Sequence, residues 1–153
     1  VLFITDKLKE PTVPILRQQW ITRADLKANR NSLYVFGDNM VRTGRGGQAS
    51  AMRGEPNAFG IPTKWYPSND LWAFFKDADF TTDSVVSWTL TGAFTHLTEV
   101  LHDGYTVVIP TDGLGTGLSR LPETAPTIAY FIDQQILLLE QEFGINTTKL
   151  GGQ

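Results

Sequence analysis

The chain has 153 residues, with 13 Lys and Arg against 16 Asp and Glu, two His and no Cys, for a formal charge of −3. A length near ~150 residues predicts a single domain spanning 1–153, and 41% hydrophobic with 19% charged residues reads as a globular chain. The lack of cysteine excludes a disulfide scaffold, thiolate zinc sites and a cysteine nucleophile. The slight acidity argues against broad electrostatic binding to nucleic acid. No apolar run approaches the ~20 residues that span a bilayer.

Val1 to Glu10 places its apolar run before its charges, the reverse of a secretory signal. With the absence of cysteine, this predicts a cytoplasmic location. Val1 to Thr5 reads as a first strand. Thr22 and Asp25 have the spacing of a helix cap, opening a short helix toward Asn29. Leu33 to Phe36 is a continuous apolar run bounded by turn formers, as in a buried parallel strand. Gln48 to Arg53 suits a helix, and Ala58 to Ile61 a short strand stopped by Pro62.

Residues 65–80 mix aromatics, acids and turn formers without a period, predicting a long loop with about one helical turn. Thr82 is expected to open a helix to about His102, with Asp83 in its first turn. Its apolar face would be Val85, Trp88, Leu90, Phe94, Leu97, Val100 and Leu101. Tyr105 to Ile109 is the clearest strand. A last helix is expected from about Pro122 to Phe143, with Ile128, Phe131, Ile132, Ile136, Leu139 and Phe143 buried and Gly144 as its stop. The tail from Asn146 reads as a fray or a short strand. Strands alternating with helices predict an α/β fold with a mostly parallel, mixed sheet and helices on both faces. Ligands in such sheets bind beyond the carboxyl ends of the strands.

Many of the 14 glycines fall in two clusters, each between a strand and a helix. The first loop runs from Gly37 through Asp38, Asn39, Arg42, Gly44, Arg45, Gly46 and Gly47 to Gln48. Glycine lets backbone N–H groups approach a ligand closely, a helix start supplies unpaired N–H groups, and Arg42 and Arg45 carry forked donors that fit phosphate. The second loop holds Thr111, Asp112, Gly113, Leu114, Gly115, Thr116 and Gly117, with Arg120 beyond. Two such loops side by side would grip a diphosphate from both sides; alternatively the glycines are simply tight turns. Neither loop matches a P-loop, a dinucleotide fingerprint or a nucleophile elbow.

Other residues also read two ways. Asp38 would orient a ribose hydroxyl or activate water, or else cap its own loop. Asp112 has the same ambiguity, and a facing Asp38 and Asp112 would act as acid and base or hold a divalent ion. Lys64, after Thr63 at a strand end, would meet a phosphate or a ribose, or be solvated. Arg53, Glu55 and Asn57 form an internal ion pair and turn or else touch ligand. One of Trp65, Tyr66, Trp72, Phe74 and Phe75 would stack on a base, or the group is satellite core. His96 and His102 read as surface residues, and with two His and no Cys a transition-metal site is not expected.

In order, the segments YVFGDN, GRGGQA, NAFGIPTK, VVIPTDGLGTGL and ETAP resemble the phage-associated macro-domain-like families. The resemblance covers residues 33–64 and 105–126. It implies a three-layer fold that binds ADP-ribose or a related nucleotide, with Gly44 to Gln48 and Gly113 to Gly117 as the phosphate loops and Asn39 near the distal ribose. It implies no cofactor and a small nucleotide ligand as partner, with a homo-oligomer also compatible. Some macro domains hydrolyse ADP-ribosyl bonds; Asp38, Asn39 or Asp112 would then be catalytic. Gly37, Asp38 and Asn39 stand where macro domains have Asn-Ala-Ala-Asn, and the second loop lacks the usual aromatic. A phage origin would suit an anti-defence protein that sequesters a nucleotide signal. An interaction protein without a nucleotide ligand is the third reading.

Overall fold

The computed structural model describes residues 14–146, so the strand expected at Val1 to Thr5 lies outside the described residues. Strand β1 (Ile15–Gln18) leads to helix α1 (Arg23–Ala28), strand β2 (Ser32–Asn39), the one-turn helix α2 (Ala49–Met52) and strand β3 (Ala58–Lys64). Two 3-10 turns, Leu71–Ala73 and Asp77–Asp79, precede helix α3 (Val85–His102) and strand β4 (Thr106–Pro110). Helices α4 (Leu121–Thr124) and α5 (Pro126–Phe143) and the two-residue β5 (Ile145–Asn146) complete the order. The sheet order is β3-β2-β4-β1-β5. Every pairing among these strands is parallel, and an antiparallel contact is added at the edge by the isolated bridge of Lys64 with Phe74.

Side chains alternate across a sheet, and both faces are covered. Ile15, Val35, Val107 and Ile109 pack on one side against α3 and α5 residues such as Leu90, Leu97, Ile128 and Ile132. Leu16, Tyr34, Phe36 and Val108 pack on the other against Leu26, Ala49 and Met52 of α1 and α2. The apolar run at Leu33 to Phe36 follows from this double burial.

Local chemistry sets the element ends. Thr22 accepts from the Asp25 amide at 3.2 Å while Asp25 accepts from the Thr22 amide at 2.9 Å, a complete capping box. Helix α3 begins later than expected because Ser84, not Thr82, caps it, accepting from the Ser87 amide at 3.1 Å. The face turns accordingly: Val86 is buried, while Val85 and Trp88 are exposed. The helix expected from Pro122 breaks at Ala125, since a residue before proline is pushed out of the helical region. Asp77 then caps α5 by accepting from the Thr127 amide at 2.9 Å.

Strand β3 runs through Pro62 instead of stopping there. Among the strands it pairs only with β2, at the sheet edge, where a missing N–H costs no ladder bond. The irregular segment folds back on this edge. The Trp65 amide donates to Ala73 O at 2.8 Å, and the Trp65 indole donates to Asp79 at 3.0 Å. Phe74 and Phe75 are buried, whereas Tyr66 and Trp72 stay exposed.

Candidate functional site

The carboxyl ends of β1, β2, β3 and β4 surround a hollow of about 600 Å³, within the range of small-molecule sites. Gly37, Gly46, Gly47 and Gln48 of the first glycine loop line it. So do Thr63 from β3 and Thr111, Asp112, Gly113, Gly115, Thr116 and Gly117 of the second loop. The two loops therefore converge. A Cβ on Gly37 would lie 3.5 Å from the Gly115 amide nitrogen, and one on Gly46 would lie 2.9 Å from the end of Leu118. Gly115 has φ +79°, and a Cβ there would meet the Cβ of Leu121 at 2.8 Å; only glycine fits this turn.

A second hollow of about 330 Å³ adjoins the first and shares Gly37, Gly46, Leu118 and Ser119 with it. Its own walls include Asp38, Asn39, Gly44, Arg45, Arg53 and Lys64. The Ser119 hydroxyl hydrogen-bonds the buried Thr63 hydroxyl at the junction.

Several predicted site residues have other tasks. The Asp38 side chain is 3% exposed and ion-paired with Arg53, with Arg42 at 3.5 Å. Its second oxygen also takes an Arg53 N–H at 3.3 Å, and its first accepts from the Asn39 amide at 2.8 Å. The Asn39 side chain donates to Thr43 O at 2.7 Å and accepts from the Val41 amide at 3.1 Å, so it builds the turn. Asp112 lines the first hollow and Asp38 the second. They do not face each other as an acid and base, and the described residues hold no group of three or more His, Asp or Glu suited to a metal.

Arg42 lines neither hollow; its guanidinium reaches Gly60 O on β3. The Leu114 side chain is buried in the α3–α5 core. Arg120 pairs with Glu123 at 2.8 Å. The expected helix-start anion site also shrinks. Helix α2 is one turn long, and the amides of Ala49 and Ser50 close onto Gly46 O and Gly47 O at 3.2 Å each. Gln48 accepts from the Gly37 amide at 3.3 Å, tying the loop to β2.

Lys64 is 93% buried by its 7% exposure, and its ammonium donates to Ser68 O at 3.0 Å. Burial holds its pKa below the ordinary lysine value. Glu55 is held between Arg23 at 2.7 Å and Arg30 at 2.9 Å, and hydrogen bonds from these two lower its carboxyl pKa. The Asn57 amide donates to Leu26 O, Asn29 O and Ser32 O. Glu55 and Asn57 thus lock α1 to β2 and β3. His96 and His102 are exposed, as expected.

The sequence reading missed β1 and, with it, Gln18 and Trp20 on the first hollow. Trp20 is 80% exposed with φ +54°, an uncommon conformation for a bulky residue. None of the aromatics at residues 65–75 lines either hollow. No local pattern in the sequence marks the four residues of β1, two of them polar, so neither residue stood out.

The fold and hollow define a parallel α/β protein with a cleft at its strand ends. The chain belongs to DUF7831, a family of unknown function, whose pattern matches residues 16–135. No curated protein and no solved structure matches. Among the described residues, no helix is long and apolar enough to cross a membrane.

Proposed function

We propose that the first hollow binds ADP-ribose or a related nucleotide-derived signal, and that the protein acts by sequestering it. The convergence of two glycine loops on one hollow carries this reading. Glycines of both loops, with Thr111 and Thr116, line the place where a diphosphate would lie. Charge-assisted hydrogen bonds contribute about 1.5–3 kcal/mol each, so a few support micromolar binding after ordering costs. Trp20 at the rim offers a face for the base. The ordered motifs shared with macro-domain-like families favour ADP-ribose over other nucleotides. A hydrolytic alternative rests on Asp112, an exposed carboxylate on the same wall.

Calorimetry with ADP-ribose, cyclic ADP-ribose isomers and cyclic oligonucleotides, followed by chromatography of the recovered ligand, separates the readings. Heat with intact ligand is the expected result. A changed product favours the hydrolase, and no heat from any nucleotide leaves an interaction protein. In the control Gly46→Val, the added Cβ meets the flexible end of Leu118 and no other group within 4 Å. Binding should vanish while the fold survives; unchanged affinity removes the first loop from the site.

A further inference from the structure

We infer that the second hollow is a binding site for a phosphate-type dianion, with Lys64 as its fixed cation. Lysine is rarely buried unless paired, yet among the described residues no carboxylate lies within ion-pair distance of the Lys64 ammonium. Its contacts are Ser68 O at 3.0 Å and the Phe74 ring, 5.1 Å to the centroid. An ammonium has three N–H donors, so one carbonyl does not satisfy it. A charge partly removed from water without a counter-ion is disfavoured. An anion in the hollow that Lys64 lines would remove that cost.

The charge around the hollow fits the same guest. Asp38 neutralises Arg53, and the remaining hydrogens of the Arg53 guanidinium are spent on the carbonyls of Arg42, Thr43 and Gly44. Lys64 and the exposed Arg45 are left on the wall. Two cations call for a group carrying close to two negative charges, which a phosphate monoester does at neutral pH. The hollow opens beside the first through Gly46, Leu118 and Ser119. With Leu118 turned aside, a nucleotide seated in the first hollow would reach Lys64 with a terminal phosphate, a step that rests on the function proposed above. The anion site itself does not.

The test titrates inorganic phosphate and ribose 5-phosphate into isotope-labelled protein while following backbone amide signals. Both ligands should move Gly44, Arg45 and Ser68 to saturation, with a dissociation constant of about 1 mM, and leave Gly113 and Gly115 in place. Arg45→Gln should weaken this by about tenfold. Lys64→Met should abolish it, and Lys64→Arg should restore it. Bound phosphate should also raise the pH at which the Lys64 ammonium titrates, which a purely structural lysine would not show. Ribose 5-phosphate binding more tightly than the free ion assigns the site to a phosphate ester; equal affinity assigns it to free phosphate. Movement confined to Gly113 and Gly115, or no saturable movement at Gly44 and Ser68, overturns the inference. ADP-ribose run in parallel reports on Gly113 and Gly115. Its failure there, with phosphate still seated at Lys64, sinks the nucleotide reading and leaves the phosphate site standing.

Discussion

At the scale of residues, buried polar groups divide into those that hold the site and those that face it. Arg53 belongs to the first kind. It ties Asp38 on β2 to the carbonyls of the first glycine loop. Arg53→Met leaves Asp38 with the more distant Arg42 and should cost about 3–5 kcal/mol. The urea midpoint would fall with an unchanged slope; a loss within experimental error would show that Arg42 replaces it. Tyr34 gives a pH signature. Burial first, and the nearby Asp25 charge second, push its hydroxyl from 10.0 up to about 12. The folded chain therefore keeps a proton that the unfolded chain releases. The associated stability is complete below pH 10 and is lost as pH rises through about 12. Tyr34→Phe should flatten that decline in urea melts across this window.

At the scale of elements, the two ends of the second glycine loop behave differently. A Cβ at Gly115 would collide with Leu121 at 2.8 Å in a left-handed conformation, whereas one at Gly117 would meet nothing within 4 Å. Gly115→Ala should destabilise by about 1–3 kcal/mol, and Gly117→Ala should melt near wild type. Equal melting temperatures would remove the packing argument for this loop. Local signals of this kind were legible in the sequence. Thr22 and Asp25 announced α1, Gly144 the end of α5, and the glycine clusters the strand ends. The failures were non-local. Strand β1 has only four residues, two of them polar, and is held by β4 far along the chain. The partnership of Asp38 with Arg53 depends on how the first loop folds back, which no spacing encodes. Pro62 read as a strand stop because its edge position was invisible.

At the scale of the whole molecule, an α/β order with helices on both sides followed from alternation and from doubly buried strands. The convergence of the two loops followed from that order, because strands β2 and β4 are neighbours. The ion pair of Asp38 with Arg53 and the turn hydrogen bonds of Asn39 did not follow. A ligand bound only by the folded chain stabilises it by mass action, about 2.7 kcal/mol at a hundredfold excess over its dissociation constant. ADP-ribose should therefore raise the melting temperature in a concentration-dependent way. A melting curve that ignores ADP-ribose would count against the first hollow as its seat.

Leu118 stands over Gly46 where the two glycine loops meet. One rotatable aliphatic chain thus stands between the two rooms of the cleft. A relative with alanine at this position would carry one continuous trench, and a relative with phenylalanine two sealed chambers. If the proposed ligand is right, selectivity among guests of different length would then evolve at a single codon, with both glycine turns left untouched.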